Sequence, residues 1–374
     1  MRSPFSKHLI LGVSINGDLQ VKKSFIALAA LATVATSVQA QSSVTVYGVM
    51  DMGITTVDKV GTTAATASRN TGLTSGGLST PRFGFKGSED LGSGLKATFV
   101  LESEIIADTG TSAIGSDSGI LFNRESTVAL SQNGVGTVKL GRQNAEDYNF
   151  AAKYDAFGGN NIGGWVASNK GGSSSSSATL DVNKRYANAV GLQSAPIMGV
   201  VFTVQHAFGE SAGAPDYDRS SVYAAEYSHG PFGLAIAHAN QNSSGATTHR
   251  TSLYAKYDFN VVDLRFGYAS KETSSTTTFS GYFVGFKAPI STNIGLIGQY
   301  NKFDSDTGEK PSVSALGATY AFSKRTTAYL IGAKSNQNNN STQYLVSDSK
   351  YQNFNAVAAG VNQTALSIGI RHTF

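Results

Sequence analysis

Cysteine is absent from the 374 residues of this chain, and histidine is rare. Without cysteine, a disulfide scaffold, a thiol nucleophile and a cysteine-ligated metal are excluded. The histidines are scattered and form no close pair on one face of a strand, so we expect neither a metal site nor a cofactor. The same scatter leaves no Ser/His or Asp/His pair for hydrolysis, and we expect no enzymatic activity. Within residues 41–374 these histidines are His206, His229, His238, His249 and His372.

Long apolar runs are missing too. The apolar run from Phe25 to Val34 is too short to cross a bilayer as a helix. Lys22-Lys23 precede it, and Ser37-Val-Gln-Ala40 supplies small or apolar side chains where a signal peptidase reads. We therefore assign residues 1–40 to an N-terminal extension and a secretory leader that is removed, and residues 41–374 to the mature domain. The leader is already complete from Val21, so the sequence leaves two translation starts open, Met1 and Val21.

Net charge is small. The chain carries 29 Lys and Arg against 25 Asp and Glu, a formal charge of +4. Residues 1–40 account for three of these charges, so the mature chain is about +1. A near-neutral mature chain gives no basis for nucleic-acid binding, and none is expected.

Apolar and polar side chains alternate with a two-residue period along much of the mature sequence. Val44, Val46 and Ile54 alternate with Asp51 and Thr55, and the C-terminal stretch behaves in the same way up to a terminal Phe. In a β-strand this period puts one set of side chains on each face. Many such strands in a secreted chain indicate a transmembrane β-barrel, which needs apolar residues only on its outer face.

The connections between these segments alternate in length. Seven short turns lie near residues 90–94, 133–136, 195–197, 230–231, 260–262, 290–293 and 323–325. Eight longer loops lie near residues 57–80, 106–120, 144–181, 209–219, 240–250, 273–278, 303–311 and 336–363. The Gly/Ser run at 171–177 is interpreted as part of one loop and not as a domain linker. The pattern predicts an all-β, sixteen-stranded antiparallel transmembrane barrel with both chain ends on the short-turn side.

One block carries a family resemblance. The stretch PRFGFKGSEDLGSGLKATFVLE, from Pro81 to Glu102, resembles the second and third strands of the β-proteobacterial type of Gram-negative general porin. Shorter similarities follow in order along the mature chain, at residues 44–48, 122–124, 136–143, 154–159 and 369–374. The resemblance implies a homotrimer in the outer membrane, passive diffusion of small hydrophilic solutes and ions, and a third loop folded into the barrel. It also implies contact with membrane lipid and lipopolysaccharide, and recognition of Phe374 by the barrel-assembly machinery.

Charged residues near this third loop are the candidates for a pore constriction. The basic side chains predicted to line one wall are Arg82, Lys86, Arg124, Arg142 and Arg185. The acidic side chains predicted on the loop are Glu146, Asp147 and Asp155. Opposed charges of this kind create a transverse field and set ion preference in a wet pore. The dense arginine wall favours a weak preference for anions.

Other functions remain open from the sequence alone. The alternative to a general diffusion porin is a substrate-selective outer-membrane channel that binds one solute class at the constriction. An outer-membrane hydrolase and an adhesive role of the loops are further hypotheses. Departures from the family pattern, such as Glu125 after Arg124 and the long loop at 336–363, bear on selectivity and not on the fold.

Overall fold

A computed structural model describes most of the chain from residue 43 onward. It covers residues 43–61, 63–112, 120–159, 162–168, 184–209, 219–243, 246–273, 278–306, 308–338, 341, 345, 354 and 357–374. The leader assigned to residues 1–40 and the Gly/Ser run at 171–177 lie outside the described residues.

Strands dominate the described part of the chain. They are β1 (Ser43–Val60), β2 (Ser68–Ser75), β3 (Arg82–Gly92), β4 (Leu95–Ile106), β5 (Thr111–Ser112), β6 (Glu125–Gln132), β7 (Gly136–Asn144), β8 (Arg185–Ser194), β9 (Val200–Ala207), β10 (Ser220–His229), β11 (Phe232–Ser243), β12 (Ala246–Asp258), β13 (Asp263–Thr273), β14 (Thr278–Pro289), β15 (Ile294–Ser305), β16 (Ser312–Ala321), β17 (Thr326–Asn336) and β18 (Thr364–Thr373). Two short helices, α1 (Glu146–Tyr154) and α2 (Trp165–Ser168), lie between β7 and β8. Neither of them, nor any other helix among the described residues, has the length and apolar character to cross a bilayer.

The sheet closes on itself between the first and last strands. On one edge, β1 pairs with β18 from Val49↔Thr373 to Val57↔Ala365. On its other edge, β1 pairs with β3 through its first half and with β2 through its second half. Segments β2 and β3 are therefore two halves of one wall strand, interrupted at residues 76–81. Among the described residues, β5 pairs only with the end of β4. The result is a closed sixteen-stranded antiparallel barrel, which confirms the prediction.

The alternation separates the two faces of the wall as predicted. Ile54 on β1 and Ile368 on β18 are 53% and 58% exposed, whereas Asp51 and Thr55 are fully buried. The same contrast recurs on β12, where Leu253 is exposed and the adjacent Tyr254 is buried. Because a one-residue slip would invert these faces, the register is strongly specified. The apolar face is the outer surface, and the polar face points inward.

All seven predicted short turns occur where two strands of the wall meet, but two of the predicted long loops contain strand over half of their length or more. β1 continues to Val60 and β2 begins at Ser68, so the first loop is much shorter than residues 57–80. β11 runs to Ser243 and β12 starts at Ala246, within the predicted loop at 240–250. These strand ends are rich in Thr, Asn and Ser, a composition that is typical of loops. The backbone ladder nevertheless continues, because strands that extend past the bilayer do not need an apolar face.

Candidate functional site

The connection between β7 and β8 begins at a bend in the wall. Gly141 has φ of 112°, which favours glycine, and the register between β7 and β8 shifts between Gly141 and Gln143. The chain leaves the wall after Asn144, which still pairs with Arg185, and enters α1. The Gln205 side chain of β9 accepts a hydrogen bond from the Glu146 amide at 2.8 Å, which satisfies one free N–H group at the helix start.

Charged side chains tie α1 to strands β10 and β12. Asp147 in the first helical turn forms a buried ion pair with Arg250, whose Nε lies 2.9 Å from the Asp147 Oδ2. In the last turn, Lys153 Nζ lies 2.6 Å from Glu226 Oε1, and the Tyr154 hydroxyl donates to the same oxygen at 2.9 Å. Both ends of the helix are thus fixed to the wall by carboxylate contacts.

Arg265 on β13 holds the C-terminal end of α1. Its Nη1 donates to the carbonyl oxygens of Lys153 and Asp155, at 2.8 and 3.2 Å. Asp263 fixes the guanidinium from the other side at 2.6 Å. A cation at this position also complements the negative end of the helix dipole.

Beyond α1 the loop is anchored by Asp155 and Trp165. Asp155 is fully buried and accepts hydrogen bonds from the backbone amides of Phe157, at 2.7 Å, and of Trp165. Burial raises the pKa of the Asp155 carboxyl to about 6. The indole of Trp165 packs on Phe283 and Phe303, with ring centroids 5.4 and 4.9 Å apart.

These wall partners belong to the face opposite the exposed apolar side chains. Tyr254 and Phe283 are buried, while their neighbours Leu253, Tyr282 and Val284 are exposed. The described residues between 145 and 168 therefore pack on the inner face of the barrel wall.

Arginines and glutamates share the wall near β3, β4 and β6. Arg124 Nε lies 2.5 Å from Glu102 Oε1, and its Nη1 lies 3.4 Å from Glu104 Oε2. Arg82 Nε approaches the second Glu102 oxygen at 3.8 Å, and the Tyr47 hydroxyl donates to that oxygen at 2.9 Å. Arg124 is almost fully buried, so its charge depends on these two carboxylates.

The other predicted basic residues divide into two groups. Arg142 donates to the carbonyl oxygen of Asn123 at 2.8 Å, and Arg185 lies within electrostatic range of both Arg124 and Arg142. Lys86 is exposed and lies over the Tyr47 ring, 5.0 Å from its centroid. Four arginines therefore form one cluster, and Lys86 lies four residues from Arg82 along β3, toward the short turns.

The three predicted acidic residues occupy different environments. Asp147 and Asp155 lie in the buried anchoring contacts described above, and neither is among the described residues that line the two cavities of 240 and 540 Å³. Glu146 is half-buried and lines a cavity of 240 Å³ together with Glu125 and Lys139. Burial raises the pKa of the Glu146 carboxyl.

A larger cavity of 540 Å³ lies between α1 and the wall. Four cations line it, Arg82 and Arg124 from one part of the wall and Lys287 and Arg371 from β14 and β18, and the described lining contains no carboxylate. Tyr148 and Asn149 of α1, Ser79, Thr80, Thr319 and Thr327 add amide and hydroxyl groups.

The sequence reasoning missed Lys287 and Arg371. Both lie on the inward side of strands whose alternation was visible. Arg371 alternates with Ile368 and Ile370, which are 58% and 51% exposed, and Lys287 continues the inward series from Phe283. Assigning every charged residue of the polar face to the lumen would have found them.

Phe374 closes the seam between the chain ends. Its amide donates to the Gly48 carbonyl and its carbonyl accepts from the Gly48 amide, both at 3.1 Å. The phenyl ring is 47% exposed and lies over Gly48, where a Cβ would meet it.

A closed barrel with an apolar exterior and a charged inner cavity defines an outer-membrane channel. The sequence model of the family described as Gram-negative porin matches residues 27–341. The chain is 33% identical to outer membrane porin protein 32 of Delftia acidovorans over 95% of this chain and all of that protein. It is 31% identical to an outer membrane porin protein of Bordetella pertussis, with the same two coverages. A solved anion-selective porin from Comamonas acidovorans superposes with a TM-score of 0.76 at 30% identity, over 89% of this chain and all of that one.

The chain belongs to the Gram-negative porin family. It is a multi-pass β-barrel protein of the outer membrane and a passive diffusion channel for small hydrophilic solutes. The family consists of channels rather than enzymes.

Proposed function

We propose that this porin passes small hydrophilic solutes and ions with a weak preference for anions. The observation that carries the proposal is the lining of the 540 Å³ cavity, in which four cationic side chains meet no carboxylate among the described residues. The relative from Comamonas acidovorans, described as anion-selective, supports the same sign.

The balance of charge explains why anions should be favoured. Glu102 and Glu104 offset part of the charge of Arg82 and Arg124, but they are not among the described residues that line the cavity. Lys287 and Arg371 add positive charge from another part of the wall. A confined space with low-dielectric walls focuses this potential and raises the local anion concentration.

In this proposal the predicted basic residues still supply positive potential to the pore, but at different positions. Arg82 and Arg124 act at the cavity, Arg142 and Arg185 add positive potential beside it, and Lys86 acts further toward the short turns. Of the predicted acids, Glu146 contributes negative charge to the smaller cavity. Asp147 and Asp155 act instead by holding the loop, so the transverse field is weaker on its acidic side than the sequence suggested.

The test is the reversal potential of the purified protein in a planar bilayer across a salt gradient. We expect the reversal potential of the native protein to have the sign that indicates anion preference. Lys287→Gln should shift the reversal potential in the direction of weaker anion preference. The matched control is Lys310→Gln, which removes the same charge at a loop position where the side chain is 55% exposed. A cation-selective native protein, or equal shifts for the two variants, would contradict the proposal.

The remaining partner predictions rest on the family resemblance. We propose a homotrimer in contact with lipid and lipopolysaccharide, delivered after removal of residues 1–40 and inserted by the barrel-assembly machinery through Phe374. Light scattering on the detergent-solubilised protein should give the mass of three barrels, and channels should close in three equal steps. Deleting Phe374 should reduce insertion without preventing secretion.

A further inference from the structure

A carboxylate on β1 organises the interruption in the second wall strand. The backbone amides of Gly77, Leu78 and Ser79 donate to the Asp51 side chain at 3.1, 2.8 and 2.7 Å. The preceding amide, of Gly76, donates to the Asp51 main-chain carbonyl at 2.8 Å. Three successive amides therefore converge on one carboxylate, as they do on the anion in a backbone nest, and a fourth binds the main chain of the same residue.

Tyr329 on β17 provides a further donor to the same carboxylate. Its hydroxyl lies 2.8 Å from Asp51 Oδ1, and both side chains are buried. Tyr329 pairs with Gly369 in the β17–β18 ladder, and Gly369 pairs with Gly53 in the β1–β18 ladder. A Cβ at Gly53, Gly77 or Gly369 would meet the Tyr329 hydroxyl, so this side chain needs a path lined by glycines.

The geometry of the strand interruption also depends on glycine. Gly76 has φ of 89°, and a Cβ there would lie 3.1 Å from the Pro81 ring. The chain turns off the wall at this point and rejoins it at Arg82, where β3 begins. Asp51 thus holds a segment that has no strand ladder of its own.

This segment lies at the basic cavity. Leu78, Ser79 and Thr80 belong to its lining, beside Arg82 and Arg371. Arg371 is the cross-strand partner of Asp51, and its Nη1 lies 3.4 Å from the Ser79 hydroxyl. The position of residues 77–80 therefore affects both the shape of the cavity and one of its cations.

We propose that Asp51 and Tyr329 are positioning residues of the pore, which hold residues 77–80 as a fixed lip of the cavity through the amides of Gly77, Leu78 and Ser79. The inference builds on the proposed role of this cavity as part of the permeation path. The segment 77–80 would then be a second element that shapes the pore. It lies at the seam between the two chain ends and is independent of the loop between β7 and β8.

The first variant is Asp51→Asn, which preserves size but replaces one acceptor oxygen by a donor. One or two of the three amides then lose their acceptor, and we expect hydrogen exchange of the peptide covering residues 76–81 to accelerate by about tenfold, since a lost charge-assisted hydrogen bond changes an opening equilibrium on that scale. The size of the single-channel step in symmetric salt should shift from that of the native protein, with larger open-channel noise. A change in step size can be measured whichever ion carries more of the current, so this test can succeed even if the proposed anion preference fails.

The matched control is Thr55→Val, which removes another buried polar group from the inner face of β1. The Thr55 hydroxyl contacts the hydroxyl groups of Thr74 at 2.7 Å and Ser367 at 2.9 Å, whereas the amides of residues 77–79 donate to Asp51. Exchange at 76–81 and the conductance step should both remain native in this variant.

The outcomes separate clearly. Faster exchange with an unchanged conductance step would overturn the proposal, because the segment would then be held by Asp51 without shaping the pore. Unchanged exchange, or equal changes in Thr55→Val, would overturn it as well. If Asp51→Asn does not fold, Tyr329→Phe removes one donor and keeps the ring in its glycine path. Tyr329→Phe should also accelerate exchange at residues 76–81 and shift the conductance step, both by less than Asp51→Asn. A folded Tyr329→Phe with native exchange and a native conductance step would then contradict the proposal.

Discussion

Asp147 at the start of α1 and Arg250 on β12 form an ion pair that is buried on both sides, with side chains 2% and 4% exposed. The two residues are separated by 103 positions in the chain. They therefore lock the loop that leaves β7 onto a part of the wall five strands away. A buried pair of this kind is weak support for overall stability, but removing one partner strands the other charge.

Asp147→Asn should release this lock and loosen the loop. Breaking a buried pair typically costs about 3–5 kcal/mol, because Arg250 would keep its charge without a carboxylate. Trp165 is the single tryptophan of the chain and lies in the same loop, so its emission reports on loop packing. We expect a red shift of the emission and a noisier open-channel current.

The control for this change is Asp58→Asn. The Asp58–Arg69 pair is also short, at 2.5 Å, but the Arg69 side chain is 70% exposed. Exposed pairs contribute little, because water and salt screen them. Tryptophan emission and current noise should stay native, and a red shift as large as that of Asp147→Asn would argue against the anchoring role.

Trp165 itself should be tested by two substitutions, one that removes the ring and one that keeps an aromatic ring. Trp165→Ala removes a fully buried indole stacked on Phe303 and should weaken the loop by about 3–5 kcal/mol. The indole N–H has no hydrogen-bond partner among the described residues, so Trp165→Phe should be close to neutral. Limited trypsin cleavage after Lys153 measures the difference. Rapid cleavage of Trp165→Phe would mean that the N–H makes an essential contact.

The sequence predicted the barrel well because its signal is local. The alternation of apolar and polar residues, for example at Ile54 and Thr55, indicates which face of each strand is the outer one. The seven short turns indicate where the chain reverses direction. Strand ends beyond the bilayer, such as Asn242 opposite Thr247, carry no apolar face, and their polar composition does not distinguish them from loops.

The candidate site was harder to predict, because burial of a charge depends on partners remote in sequence. Asp147 and Glu146 are adjacent and looked equivalent, yet only Asp147 meets Arg250 and becomes buried. The sequence also did not predict the position of residues 77–80, for a related reason. Its acceptor Asp51 and the support Tyr329 come from opposite ends of the chain.

Arg124 should affect both the ion selectivity of the pore and the stability of the barrel. Arg124→Gln removes one cation from the cavity and also leaves Glu102 and Glu104 without their main partner, at 2.5 and 3.4 Å in the native protein. We expect a reversal potential shifted toward cations and a lower thermal stability of the folded barrel. Gel mobility of unheated and heated samples measures the second effect.

Lys86→Gln is the matched comparison for Arg124. It removes the same formal charge from an exposed lysine that contacts the Tyr47 ring. The shift in reversal potential should be smaller and the stability nearly native. Equal effects of the two variants would mean that position within the pore does not determine selectivity.

Asp155 predicts how loop stability depends on pH. Its ordinary pKa is 3.8, and burial raises the pKa to about 6 in the folded loop. Between these values the folded loop binds more protons than the opened one, so the loop becomes less stable as the pH rises from about 4 to about 6, by on the order of 3 kcal/mol, and changes little above that window.

Hydrogen exchange of residues 156–159 and 162–168, corrected for the intrinsic effect of pH, should show this loss of protection. Asp155→Asn should flatten the profile, whereas Asp304→Asn, at a side chain 52% exposed in another loop, should leave it unchanged. Protection that instead increases across the window would show that the folded site favours the carboxylate. The hydrogen bonds from the Phe157 and Trp165 amides would then outweigh the burial of the charge.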